Sequence, residues 1–340
     1  MTLLKPTKLS VVLSFRNEEG TIPELIRRLR RALDPLSLQY EIIFVNDDST
    51  DRSLTMLKDY NRDDSRIKII NMSRNFGNSP CALAGFRFAT GDAVVILDAD
   101  LQDPPELIPT LLLEYEKGAD VVYTTRLSRA GESPLKLWIT GIAYRILRFS
   151  SNINLPVDSG DFKLMSKRVI RELLKLNEYD PFLRGLVSWV GFKQVPVYYD
   201  REPRFKGSTH FSLFSGAPAR AFLSGLTSFS TLPLELSLVF GFVMVGIAGI
   251  YLVAILATFL AGWNIPGWTT IVALILILGA TQLLTIGMNG IYLGRIYNNV
   301  QHRPAYIVES LVGIDDPREE NAASIEAESR RSRELSEVQT

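Results

Sequence analysis

The chain has 340 residues, 46% of them hydrophobic and 22% charged, and its 37 Lys and Arg balance its 37 Asp and Glu. This composition excludes a disordered chain, a collagen-like fibre and a disulfide scaffold, and the lack of a basic excess argues against a general nucleic-acid binder. One cysteine, Cys81, forbids an intrachain disulfide or a Cys-based zinc site, and two histidines, His210 and His302, speak against a histidine triad or metal centre.

Met1–Lys8 is short and leads into a strand-like run, so no secretory signal is expected there. Strand patterns follow at Leu9–Phe15, Glu41–Val45, Arg66–Asn71, Ala93–Leu97 and Asp120–Thr124. Helical patterns lie between them. In Ile22–Leu33, Leu25, Ile26, Leu29 and Leu33 recur at helical spacing, with Thr21 and Pro23 as start signals. This alternation predicts an α/β domain over residues 1–210, a mostly parallel sheet flanked by helices. Ligands bind such sheets at the carboxyl ends of the strands. Polar clusters fall there after four strands: Arg16-Asn17-Glu18-Glu19, Asn46-Asp47-Asp48-Ser49, Arg74-Asn75-Phe76-Gly77 and Asp98-Ala99-Asp100. Four clusters at one edge predict an active-site rim. No Gly-x-Gly-x-x-Gly and no Gly-x-x-x-x-Gly-Lys-[Ser/Thr] occurs, which demotes dehydrogenases and P-loop NTPases.

In Val94–Pro105 an apolar strand runs straight into Asp98 and Asp100, two residues apart. In extended chain these carboxylates point the same way, and Gln102 adds an amide oxygen. Close like charges favour a cation between them, and a hard divalent ion such as Mg²⁺ or Mn²⁺ prefers oxygen ligands and brings phosphate oxygens with it.

Further on, Pro134–Phe149 and Phe211–Phe229 are basic, aromatic and amphipathic, and residues 211–230 are expected at a membrane interface. From Leu236 to Gly294, 59 residues pass without an Asp, Glu, Lys or Arg. Two transmembrane helices are expected within 231–300, about Leu236–Leu260 and Thr270–Gly294, split by Ala261–Trp268. Arg220, Arg295, His302 and Arg303 flank the pair, so the positive-inside rule predicts a multi-pass inner-membrane protein with its N-terminal domain and C-terminus cytoplasmic. Gly279, Ala280, Gly287, Gly290 and Gly294 would permit close helix packing, so a homo-oligomer stays open. Residues 309–340 carry nine acids and four arginines, and 301–340 is read as an acidic, flexible extension.

Taken together, these motifs resemble glycosyltransferase family 2, in the polyprenyl-phosphate branch that holds the dolichol-phosphate mannose synthases and bactoprenol glucosyltransferases. The resemblance rests on Ser14-Phe15-Arg16-Asn17-Glu18, Val45–Asp51, Arg74–Gly77, Asp98–Pro105, Asp158-Ser159-Gly160-Asp161-Phe162, Phe182–Phe192 and Arg201–Thr209, and covers roughly 7–300. It implies a GT-A-type fold, a nucleotide-sugar donor and a polyprenyl-phosphate acceptor, with glucose from UDP-glucose to undecaprenyl phosphate as the expected transfer. It also implies Mg²⁺ or Mn²⁺ held by Asp98, Asp100 and Gln102, and a pocket for base and ribose formed by Ser14, Arg16, Glu18 and Asp47. Asp158 becomes a base or sugar contact, with Asp161 behind it, and Arg126, Arg201, Arg204, Lys206 and Ser208 become contacts to the acceptor's phosphate. Two departures stand out. The family's Asp-Asp-Gly-Ser reads Asn46-Asp47-Asp48-Ser49, and its Gly-Glu-Ser-Lys reads Gly207-Ser208-Thr209-His210, without the lysine. The Gln-x-x-Arg-Trp motif of processive polysaccharide synthases is absent. Other donors (GDP-mannose, a UDP-N-acetylhexosamine, an aminoarabinose donor) stay open, as do a non-catalytic membrane scaffold and a two-span channel or transporter subunit.

Overall fold

Strands buried on both faces read as continuous apolar runs, and β1 (Lys8–Phe15) is one. Leu9, Val11 and Leu13 face one hydrophobic cluster and Val12 the other. The same alternation holds in β2 (Gln39–Asn46), β3 (Ile67–Met72) and β4 (Ala93–Asp98). One core is closed by α1 (Ile22–Leu33), α2 (Ser53–Asp63) and α4 (Ile108–Glu116). The other is closed by α3 (Asn78–Phe88), α5 (Lys167–Lys175) and α6 (Leu183–Trp189). The computed structural model describes residues 5–127, 145, 150, 159–200, 224–262 and 267–315.

With β5 (Val121–Arg126), β6 (Ser159–Ser166), β7 (Gln194–Tyr199) and β8 (Val308–Val312), the eight-stranded sheet has the order β7-β5-β6-β4-β1-β2-β3-β8. Strands β4, β1, β2 and β3 are parallel neighbours, β6 runs antiparallel between β4 and β5, and β5 and β7 are parallel. This is the expected α/β class. The chain moves from β1 through β2 to β3 and then crosses to β4 on the far side of β1. The order therefore reverses between β1 and β4, which opens a crevice at their carboxyl ends.

α1 has the expected bounds. The apolar region forms α7 (Leu232–Leu260) and α8 (Trp268–Val300), both long and apolar enough to cross a membrane. α8 is longer than expected. Its 33 residues reach about 50 Å against about 30 Å of bilayer core. Its C-terminal end docks on the domain: Arg295 donates to the carbonyls of Ser224 (2.8 Å) and Asp180 (3.2 Å), and Asn299 accepts from the Tyr179 amide (3.0 Å).

One expectation changes. Residues 301–340 were expected to be a flexible extension, but 308–312 pair antiparallel with β3 as β8, because that edge would otherwise expose unpaired backbone groups. Phe229, at the end of the stretch expected at a membrane interface, packs against Phe182 with ring centroids 6.2 Å apart. The rest of 211–230 up to residue 223, and Pro134–Phe149 apart from Arg145, lie outside the described residues.

Candidate active site

The crevice between β1 and β4 is lined from the α3 side. Ser14 and Asp98 are partners in the β1–β4 register. Asn78, the first residue of α3, bridges them: the Ser14 hydroxyl donates to its Oδ1, and its Nδ2 donates to Asp98 Oδ1 at 3.2 Å.

β4 stops at Asp98 and the chain turns, so extended backbone does not carry Asp100 as the spacing suggested. Asp100 accepts from the Gln102 amide at 3.1 Å, and the intervening Leu101 is left-handed at φ 59°. The turn nonetheless keeps Asp100 beside Asp98. The Asp98 carboxyl is pushed up, first by burial and then by the charges of Asp161, Asp100 and Asp103.

Asp161 and Lys163 project from β6 into the same region. Arg184 of α6 grips Asp161 with two hydrogen bonds of 2.7 Å each. Burial alone would raise the Asp161 carboxyl; the Arg184 charge and hydrogen bonds, helped by Lys163 and Arg126, outweigh it and hold the carboxyl well below its usual range. Burial lowers the Lys163 ammonium to about 8 against the pull of Asp161. Arg126, at the end of β5, donates to the Tyr199 hydroxyl at 3.5 Å, and that hydroxyl donates to the buried Asp103. Burial and the Asp103 charge push Tyr199 up to about 12, so it stays a donor.

On the β1–β2 side, Asp47 is almost fully buried and already engaged. Oδ1 accepts from the Phe76 amide at 2.7 Å, and Oδ2 from the Gly77 amide at 3.0 Å and Asn75 Nδ2 at 2.8 Å. Gly77, at φ 94°, is the N-cap of α3, a backbone state that favours glycine. Asp47 thus fixes the Arg74–Gly77 loop and the start of α3; any nucleotide contact must use its remaining lone pairs. Asp48 sits at φ 58°, in the left-handed region the family's glycine would occupy. Asn17, at φ 56°, stitches the two loops together: its Oδ1 accepts from the Thr50 amide at 2.7 Å and its amide donates to Ser49 Oγ at 3.0 Å. Glu18 accepts from the Thr21 hydroxyl, and Arg16 is exposed on the same loop.

The structure therefore brings Ser14, Asp98, Asp100, Gln102, Arg16, Glu18, Asp47 and Arg126 to the carboxyl edge of one sheet. Asp158, Arg201, Arg204, Lys206 and Ser208 lie outside the described residues. Sequence reasoning gave no role to Asn78, Lys163 or Arg184. The available signal was chemical: an arginine and a lysine inside otherwise apolar segments, and an amide directly after a helix-starting glycine.

Among the described residues no three His, Cys, Asp or Glu side chains form a metal-binding group. The candidate set is two carboxylates and an amide. It fits a hard divalent ion, because the crowding of acids that raises Asp98 is what a bound cation relieves.

Residues 10–174 match the model of glycosyl transferase family 2. An uncharacterized glycosyltransferase of Bacillus subtilis, YkcC, is 41% identical over 91% of this chain and 95% of its own length. Another, sll0501 of Synechocystis, is 41% identical over 91% and 96%. A prophage bactoprenol glucosyl transferase homolog of Escherichia coli is 36% identical over 89% and 98%. Among solved structures, glucosyl-3-phosphoglycerate synthase from Mycobacterium tuberculosis, in complex with Mn²⁺, UDP and glucosyl-3-phosphoglycerate, is 19% identical, with a TM-score of 0.44 over 65% of this chain and 79% of that one. A strand-end rim of this kind on an α/β sheet, in a chain that matches such relatives over 91% of its length, defines a glycosyltransferase. The chain belongs to glycosyltransferase family 2.

Proposed function

We propose that this protein transfers a sugar from a nucleotide donor onto a polyprenyl phosphate at a membrane surface, with inversion, and that UDP-glucose is the donor and undecaprenyl phosphate the acceptor. The observation that carries the reading is the acid cluster of Asp98 and Asp100 at the β1–β4 crevice, next to a domain docked on the end of a long apolar helix. The choice of lipid and sugar is supported by relatives whose names read bactoprenol glucosyl transferase.

In this reading Glu18 and Asp47 accept from the base and ribose, with Ser14 and Arg16 lining the same pocket. Asp100 and Gln102 would hold the divalent ion, with Asp98 beside them, and the ion would supply positive charge to the leaving diphosphate when bound. A phosphate oxygen of the lipid forms the new bond to the anomeric carbon, and the bond from that carbon to the nucleoside diphosphate breaks. A phosphate monoester is largely ionised near neutral pH, so no strong general base is demanded. Asp158 serves as a base or as a contact to the sugar. Arg126, Arg201, Arg204, Lys206 and the Ser208 hydroxyl receive the acceptor's phosphate, for which the arginine fork is suited.

The two apolar helices span the inner membrane, with both the catalytic domain and the C-terminus in the cytoplasm. The pairing of β8 with β3 supports this, since it requires both ends of the helical pair to emerge on one side.

The test is a donor panel on protein purified in detergent with undecaprenyl phosphate and Mg²⁺ or Mn²⁺. Lipid-dependent UDP release from UDP-glucose, lost in D100A, is expected. Release from GDP-mannose or a UDP-N-acetylhexosamine instead would replace the sugar and keep the reaction. Release from no donor, by folded protein, would overturn the reading.

A further inference from the structure

Glu309 lies in β8, beyond both long helices, yet side chains join it to the loop that follows β2. The Ser49 amide donates to Asn46 Oδ1 at 3.1 Å, Asn46 Nδ2 donates to Asn71 Oδ1 at 2.7 Å, and Asn71 Nδ2 donates to Glu309 Oε2. Asn46 and Asn71 are buried. The polarity of this relay is set at both ends, because a backbone N–H only donates and an ionised carboxylate only accepts. Each amide between them therefore has one satisfied orientation. The loop that Asn46 starts is also the one stitched to Asn17, between Arg16 and Glu18.

We propose that Asn71 and Glu309 are positioning residues for the donor nucleotide: the strand that follows the apolar helix pair orients Asn46, and through it holds the 46–51 loop against the loop of Arg16 and Glu18. This rests on the glycosyltransferase reading of the crevice. Neither residue touches the donor. Each acts by leaving the next amide a single way to turn, and an amide turned the wrong way would set two donors or two acceptors against each other, either at the buried Asn46–Asn71 contact or at the part-buried contact that the exposed Glu309 makes with Asn71.

The two links between side chains can be reversed, which gives a test that packing alone would not pass. N46D keeps the shape of the side chain but presents an acceptor to Asn71. Whichever way Asn71 then turns, one contact is mismatched, either with the new carboxylate or with Glu309. E309Q alone keeps an accepting oxygen. In N46D/E309Q the two side-chain links reverse while the Ser49 amide still donates to residue 46: Asn71 Nδ2 donates to the introduced carboxylate, and the introduced amide donates to Asn71 Oδ1.

Using the full chain in detergent, the affinity for the nucleotide of the donor selected by the panel is measured by titration calorimetry, together with donor KM, acceptor KM and kcat. N46D is expected to weaken nucleotide binding and raise donor KM about tenfold, with acceptor KM and kcat unchanged. E309Q stays within about twofold of the unsubstituted protein, and N46D/E309Q returns to within about threefold. E309L, should N46D fail to fold, is expected to weaken binding about threefold. Unchanged binding in N46D or E309L, or a double variant no better than N46D, overturns the proposal. An unsubstituted protein that binds no nucleotide or nucleotide sugar would instead overturn the reading on which it rests.

Discussion

Arg184 holds Asp161 side-on, Nε to Oδ1 and Nη2 to Oδ2, and that grip decides how charge is shared in the crevice. With Asp161 kept ionised, its charge falls on Asp98, whose own carboxyl rises. Removing the guanidinium in R184M leaves Asp161 without its main partner. A drop in stability of about 2 kcal/mol is expected, read as a thermal midpoint several degrees lower. R184K should lose less, since it keeps the charge and gives up the fork. An unchanged midpoint in R184M would show that the pair contributes nothing to the fold.

The opposite end of the sheet should govern acid stability. Glu41 is buried on β2, and burial alone would raise its carboxyl. Hydrogen bonds from Lys68, Ser10 and Thr90 outweigh this and lower it to about 2. An unfolded glutamate titrates near 4.3. The stabilisation is thus fully present above that value and disappears as pH falls from about 4 to about 2. Thermal midpoints recorded across this window should decline steeply, and the decline should flatten in E41Q. Equal slopes for both proteins would refute the assignment.

Asp47 should be intolerant of its own amide. In D47N one oxygen becomes an NH₂ that must oppose the Phe76 or the Gly77 amide, and a backbone donor cannot flip. Nucleotide affinity is expected to fall about tenfold or more as the Arg74–Gly77 loop shifts. Calorimetric titration decides it.

Gly85 marks where α3 lies closest to the sheet. A Cβ there would come within 2.2 Å of Val12 Cγ1 on β1. An exposed helical Gly→Ala change stabilises by up to about 1 kcal/mol, whereas G85A should cost about 1–3 kcal/mol through overpacking. The shift would also move Asn78, so donor KM should rise alongside a lower thermal midpoint. A midpoint that rises would contradict the close approach.

The ion site has a readout independent of turnover. Mn²⁺ titrated into D98N or D100N and followed by electron paramagnetic resonance should bind more than about tenfold more weakly than in the unsubstituted protein. Chelation should abolish transfer, and added Mg²⁺ or Mn²⁺ should restore it. Equal Mn²⁺ affinity in all three proteins would move the site elsewhere.

What could be read from sequence was local. Ile22–Leu33 shows its period, its apolar face and its proline start within 12 residues, and both ends agree with the structure. Polar groups after apolar strands announce a rim because few other arrangements explain four of them in succession. What could not be read depends on pairings across long separations. The antiparallel entry of β6 between β4 and β5 leaves no periodic trace. Nothing near Asp161 in sequence names Arg184 as its partner. Leu101 at φ 59° is a case where tertiary packing overrides local preference, since a buried leucine is a poor candidate for a left-handed turn. The short Val308–Val312 segment sits in an acidic stretch, and only the open edge of β3 makes it a strand.

That last pairing orders events in time. Asn71 and Glu309 are 238 positions apart, so during synthesis β3 is complete long before the strand that covers it exists. Meanwhile the outer edge of the nascent sheet stays bare, and both apolar helices must leave the ribosome before the final strand can arrive. Closing the sheet edge therefore waits on the whole helical pair, which makes β8 the last strand the sheet acquires.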